Sequence, residues 1–298
     1  MKKYLIIIIF ILLGGLTLSF MGAYLLTKND GYSFGESVAI IKVHGKISMT
    51  SNSGMLQESV ITPQKFIELL NQANRDRSVK AILLDINSPG GSVVASDEIA
   101  RAIKESEKPV VAWLSEIAAS GGYYIASASD FIIADRASVV GSIGVISIFP
   151  EYSKLLEKIG VNFTIVKGGE FKDFSTGYRP MTEEEKEMLE GIVLEIYDQF
   201  LGEVANNRNL TVEYVSSIAE GKIYTGKKAK ELNLIDEIGG RDLAINKAAD
   251  LGGITGTPNI VSYNKKSFLD EFSEKFSANF GYGFAKAIID SGKQFSIE

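Results

Sequence analysis

The stretch Ala81-Ile82-Leu83-Leu84-Asp85-Ile86-Asn87-Ser88-Pro89-Gly90-Gly91-Ser92 runs an apolar segment into a Pro-Gly-Gly turn, and Val94, Ile99 and Ile103 follow at helical spacing. A strand covered on both faces needs such a near-continuous apolar run, because neither side meets water. The pattern repeats downstream. Val110 to Leu114 reads as a second buried strand, Gly121 and Gly122 open the next helix, and Phe131 to Ala134 reads as a further strand. Upstream, Val38 to Val43 reads as a strand. Thr62 and Pro63 supply an N-cap and a first helical residue, and Phe66, Leu69, Leu70 and Ala73 keep helical spacing behind them. Farther on, Thr182 and Glu185 form a capping box for a long helix, in which Leu189, Ile192, Val193, Ile196, Phe200 and Val204 mark one buried face. Strands alternating with helices predict a layered α/β fold with a largely parallel sheet.

The chain has 298 residues, a net charge of −6, one His and no Cys. A mildly acidic chain is a poor general binder of nucleic acid. Without Cys there is no thiolate nucleophile, disulfide, Cys-ligated zinc or iron–sulfur cluster, and a single His offers no His pair for a metal. Tyr4 to Leu26 is uncharged and apolar or small throughout, about 34 Å long as a helix against a hydrocarbon core of about 30 Å. Lys2 and Lys3 precede it, so the expected arrangement is an uncleaved, single-pass anchor in the cell membrane, with the N-terminus cytoplasmic and the remainder outside. The expected division is residues 1–27 as flank and anchor, 28–36 as linker, 37–258 as one folded domain and 259–298 as a tail. In that tail Phe268, Phe272, Phe276, Phe280 and Phe284 recur every four residues, an aromatic stripe near the helical period.

Both glycine turns fall beyond the carboxyl ends of expected strands, where parallel α/β folds bind ligands. Neither has the pattern of a phosphate-cradling loop. The run Ala118-Ala119-Ser120-Gly121-Gly122-Tyr123-Tyr124 places a serine at a helix start, beside N–H groups that no helical carbonyl accepts. That is a way to present an acyl-transfer nucleophile: Ser120 attacks, and the Gly121 N–H with one from the Gly90–Gly91 turn steadies the oxyanion. His44 reads as a strand-end residue rather than a base. A lysine is the remaining option, and an ammonium sheds its proton near neutral pH only where burial disfavours its charge. Composition does not choose among the lysines.

The anchor, Asn87-Ser88-Pro89-Gly90-Gly91, Ala119-Ser120-Gly121-Gly122-Tyr123-Tyr124, Gly141-Ser142-Ile143-Gly144-Val145 and Phe171-Lys172-Asp173 occur in that order. Over about residues 37 to 255 they resemble the SppA-type signal peptide peptidases, membrane-anchored Ser–Lys peptidases of the ClpP/crotonase fold superfamily, in the short, one-domain form. The resemblance implies Ser120 as nucleophile, Lys172 as general base, Ser142 as a serine that orients the lysine, and Gly121 with Gly90 or Gly91 as oxyanion donors. It implies remnant signal peptides as substrates, cut within their apolar segment, and a homo-oligomeric ring, in which serine and lysine pair either within one subunit or between neighbours. It implies no cofactor or metal. Phe171, Phe174 and Tyr178 are placed to desolvate Lys172, while Asp173 would favour its ammonium form. Two competing readings share the fold: a crotonase-like acyl-CoA enzyme, which leaves the anchor, Ser120 and Lys172 without a purpose, and a non-catalytic membrane scaffold.

Overall fold

The computed structural model describes Gly14, residues 35–50 and residues 59–263. Apart from Gly14, the expected anchor lies outside the described residues, as does the aromatic stripe. Among the described residues no helix is long and apolar enough to cross a membrane.

The strands are β1 (Ser37–His44), β2 (Lys46–Ile47), β3 (Val60–Ile61), β4 (Val79–Ser88), β5 (Val110–Ala119), β6 (Phe131–Ala134), β7 (Val139–Gly141), β8 (Ile223–Thr225), β9 (Glu237–Ile238) and β10 (Asn259–Ser262). The helices are α1 (Pro63–Arg75), α2 (Val93–Lys104), α3 (Gly121–Ser127), α4 (Ser153–Lys158), α5 (Glu183–Arg208), α6 (Val212–Ile218), α7 (Gly226–Glu231) and α8 (Arg241–Leu251), with a 3-10 turn at Glu170–Asp173. The main sheet runs β10-β1-β4-β5-β6-β9. β7 lies beside β5, and β8 pairs antiparallel with β7; the other pairings are parallel. The largely parallel α/β expectation is met. Asn259–Ser262, assigned from sequence to the start of the tail, instead adds an edge strand to β1.

Alternation along the strands feeds two cores. Ala39, Ile41 and Val43 point into one cluster with Ile82, Leu84 and Ile86, under α1, α2, α3 and α5. Val38, Ile40, Ala81 and Leu83 point into the other, with Ala244, Ala248 and Ala249 of α8. Each fully buried Ile or Leu is worth about 1.5–3 kcal/mol. β5 is longer than its apolar run predicts because its ladder changes partner. Val111–Leu114 pair with β6, whereas Ile117, Ala118 and Ala119 pair with β7, which carries the strand up to Ser120.

The expected stripe on α5 is buried only at its C-terminal end. Phe200, Leu201, Val204 and Ala205 pack into the body, with Phe200 edge-on to Tyr124 at 5.0 Å, whereas Ile192 is 49% exposed. Leu189, Val193 and Ile196 are only partly covered. Among the described residues, the first turns of this helix find little to pack against. The preceding segment shares that property: Ile146 is 82% exposed and Val166 96%, among several bare apolar residues between 146 and 166.

Ion pairs hold this arm to α5. The Asp173 carboxylate accepts from Lys167 Nζ at 2.6 Å and from Arg179 Nη2 and Nε at 2.7 and 2.9 Å. Arg179 Nη1 also donates to Glu185 at 2.9 Å, and Glu185 closes the capping box by accepting the Thr182 N–H at 2.9 Å. The guanidinium of Arg179, then the ammonium of Lys167, holds the Asp173 carboxyl well below its usual range; Arg179 and the Thr182 N–H bring Glu185 down to about 2.

Two outcomes follow from this packing. Tyr123 is fully buried and its hydroxyl donates to the Leu234 carbonyl at 2.8 Å. Tyr123→Phe leaves that carbonyl without its donor and should lower stability by about 1–3 kcal/mol in urea unfolding; an unchanged midpoint would show that the bond contributes nothing net. The depressed carboxyls of Asp173 and Glu185 stabilise the arm fully above their ordinary values of 3.8 and 4.5. That contribution is lost as pH falls toward about 2, where the folded-state Glu185 takes up its proton. Amide protection over residues 171–185, taken relative to the intrinsic exchange rate at each pH, should therefore fall as the solution is acidified through this window, ahead of protection in β4 and β5. Uniform exchange across all three would remove the ion pairs as the cause.

Candidate active site

The site forms where the carboxyl ends of β4 and β5 meet. Ser120 follows β5 and caps α3, with φ 51° and ψ −124°. A non-glycine residue at positive φ costs of order 1–3 kcal/mol and persists only where its surroundings hold it. Here the Ser120 N–H donates to the Gly141 carbonyl at 2.8 Å, and its own carbonyl accepts from Tyr124 at 2.9 Å. The side chain takes no part in capping and its Oγ makes no hydrogen bond among the described residues. A half-buried hydroxyl thus stands free at a helix start.

The Pro89-Gly90-Gly91 turn presses against it. A Cβ on Gly90 would lie 2.7 Å from the Gly121 N and 2.9 Å from Ser120 Cβ. A Cβ on Gly91 would lie 2.0 Å from the Ile47 carbonyl oxygen. Only glycine permits three backbones to approach so closely. The sequence leaves open which glycine donates to an oxyanion, and hydrogen bonding distinguishes them. The Gly90 N–H is taken by Ser88 Oγ at 3.1 Å, while the N–H groups of Gly91 and Gly121 have no acceptor among the described residues. Two unspent donors beside a free hydroxyl can hold a developing alkoxide without rearranging at the moment of reaction. Ser88 reads from sequence only as part of a turn. It is fully buried, and its hydroxyl also donates to the Gly45 carbonyl at 2.6 Å, which ties the turn to the end of β1.

Ser142 follows β7 with φ 53°, one residue after the carbonyl that receives the Ser120 N–H. Its own N–H donates to Lys222 O at 2.7 Å. Lys172 is exposed on the 3-10 turn, and no hydrogen bond links its Nζ to Ser120, Ser142 or a carboxylate among the described residues. The structure thus brings the backbones of Ser120, Gly90, Gly91, Gly121 and Ser142 together and shows no hydrogen bond from Lys172 to them.

Two expectations about the surroundings of Lys172 change. Its aromatic neighbours do not enclose it, because they pack elsewhere: Phe174 lies edge-on to Phe149 at 5.8 Å and Tyr178 stacks on Phe163 at 3.9 Å. Asp173 does not turn toward it, because both carboxylate oxygens are occupied by Lys167 and Arg179. A cleft of about 460 Å³, lined by Leu156, Phe163, Asp173, Tyr178 and Arg179 among others, lies on this arm and does not include Ser120. His44 ends β1, as expected, and its Nε2 lies 2.9 Å from Asp85 Oδ1, with no hydrogen bond to Ser120. Among the described residues no group of acidic or histidine side chains has the arrangement of a metal site. The part played by Arg179 escapes a reading of the sequence. The six-residue spacing of Asp173, Arg179 and Glu185 is the available signal, but it becomes an interaction only when the chain reverses between the turn and α5.

The profile of peptidase family S49 matches residues 102–255, and that of the Clp proteases matches residues 49–139. A putative protease, MJ0651, of Methanocaldococcus jannaschii is 37% identical over 97% of this chain and 94% of its own length. A putative signal peptide peptidase SppA of Enterococcus faecium is 38% identical over 72% of this chain and 62% of its own. The solved 1510-N membrane-bound stomatin-specific protease, in a point-mutant form, superposes with a TM-score of 0.54 at 14% identity, over 78% of this chain and all of that one; at that identity it speaks for the fold alone. A match over half of the chain to one family, and a relative alike along nearly all of it, place this protein in peptidase family S49, as an SppA-type serine peptidase of the ClpP/crotonase superfamily.

Proposed function

We propose that the protein is a membrane-anchored endopeptidase with a Ser120–Lys172 dyad that degrades remnant signal peptides. The carrying observation is Ser120 itself: a free hydroxyl on a strained helix start, flanked by the N–H groups of Gly121 and Gly91. Ser120 Oγ adds to the scissile carbonyl carbon as its proton passes to the neutral Nζ of Lys172, and the oxyanion is held by the two N–H groups. The tetrahedral adduct collapses, the C–N bond breaks, and Lys172 returns the proton to the leaving amine. Water then adds to the acyl-enzyme with Lys172 again as base, which releases the acid and restores Ser120. Ser142, beside the Ser120 backbone, orients the lysine.

Lys172 is exposed in the single chain, so the base must be covered by something else. The bare apolar residues between 146 and 166 supply a surface for a neighbouring copy, and contiguous exposed apolar surface commonly marks such contacts. Copies meeting head to tail close into a ring in which Lys172 of one faces Ser120 of the next. Tyr4 to Leu26 anchors each copy, with Lys2 and Lys3 in the cytoplasm and the peptidase domain outside, where spent signal peptides lie within reach. The Enterococcus faecium relative, a putative signal peptide peptidase, supports that substrate class. Neither an acyl-CoA enzyme nor an inert scaffold is favoured by the relatives.

A serine-reactive phosphonate should label Ser120, and Ser120→Ala should lower peptide-ester hydrolysis by about 10³-fold or more while leaving assembly intact. Activity within tenfold of wild type would exclude Ser120 as nucleophile. For the shared site, Ser120→Ala and Lys172→Ala chains, each inactive alone, should regain part of the activity when co-assembled from dissociated copies. Mixed assemblies as inactive as either parent would place the dyad within one chain. A reporter fused after Glu298 should be found outside the cytoplasm, and a cytoplasmic reporter would reverse the proposed topology.

A further inference from the structure

Lys172 and Asp173 are adjacent on one short turn but face different surroundings. Lys172 is exposed, whereas the Asp173 side chain is only 6% exposed and sits between Lys167 and Arg179. Both Asp173 oxygens are engaged, Oδ1 by Lys167 and Arg179 and Oδ2 by Arg179. Arg179 is in turn shared with Glu185 of α5. The charged groups around the turn are thus Lys167, Arg179 and Glu185, together with Glu170 on the turn itself and Glu157 of α4, which lines the adjoining cleft. Within the bonded set two cations balance two carboxylates, so the cluster beside Lys172 carries no net charge.

We propose that Lys167 and Arg179 are positioning residues for the peptidase reaction: they draw the Asp173 carboxylate away from Lys172, so that the adjacent carboxylate neither pairs with the base nor holds its proton. The inference rests on Lys172 being the base. Without this diversion, a carboxylate next in sequence to a lysine would stabilise the ammonium, the form that cannot accept the Ser120 proton. The same pairing holds the turn to the start of α5, so the charge and the position of the base are set by one set of contacts.

The test is the pH dependence of kcat/KM for peptide-ester hydrolysis by the full-length, assembled protein. Removing either cation leaves a net negative charge beside Lys172, and Lys167→Gln and Arg179→Gln should each move the midpoint of the rise in rate upward by about one pH unit. Lys167→Gln touches neither Glu185 nor the capping box, so it serves where Arg179→Gln fails to fold. Adding Asp173→Asn to either variant removes the freed carboxylate and should return the midpoint to the wild-type value, even where kcat stays low. Arg179→Lys should keep the wild-type midpoint, since it retains the cation. A purely structural role for these residues would lower kcat without moving the midpoint, and that result in Lys167→Gln would overturn the inference. A Lys172→Arg control separates the two failures. Turnover in that variant would overturn the base assignment and the inference with it. No turnover, together with unmoved midpoints, would overturn the inference alone.

Discussion

The site depends on how closely three backbones approach one another. The Gly90–Gly91 turn lies against Ser120–Gly121 on one side and against Ile47 on the other, at distances that leave no room for a Cβ. That proximity follows from the sheet. β4 and β5 run parallel with Ser88 opposite Ala118, so the turns that leave their carboxyl ends must meet. Because both turns enter helices, the N–H groups they bring together lack helical acceptors. Ser88 takes the Gly90 donor and leaves those of Gly91 and Gly121 free. The two free donors beside Ser120 are thus a by-product of strand register, glycine and one buried hydroxyl.

The proposed base is held on different terms. Ser120 is held by the interior of the domain through Gly141 and Tyr124, whereas Lys172 is held only by the arm, through Asp173, Arg179 and Glu185. The first is rigid because the core around it is packed; the second owes its place to charge-assisted hydrogen bonds at a half-open surface. The arm also carries apolar residues, such as Ile146 and Val166, that are exposed. The proposed nucleophile and the proposed base therefore sit on parts of the molecule with separate sources of stability.

Much of the site could be read from residue order. Ser120 before two glycines, Pro89-Gly90-Gly91 after an apolar run and the Thr182–Glu185 capping box each express a local rule: a helix start needs donors satisfied, a tight turn needs glycine, and a strand buried on both faces needs apolar residues throughout. Those rules act over a few residues, so the sequence states them directly. The stripe on α5 reads as more deeply buried than it is for a related reason. Helical spacing identifies an apolar face but not what covers it, and among the described residues Leu189 to Ile196 are only partly covered.

What the sequence determined by itself was the α/β layering, the strands covered on both faces, and the serine with its neighbouring donors, since these depend on short-range periodicity and turn chemistry. Only the tertiary structure decided that Gly91 rather than Gly90 keeps its N–H free, that Asp173 turns to Arg179 instead of Lys172, and that Phe174 and Tyr178 pack away from the lysine. Each of these is a choice among partners distant in sequence or set by a chain reversal. A carboxylate, an N–H or an aromatic ring takes the best-placed partner the fold provides, and which partner that is depends on three-dimensional distance rather than on position along the chain.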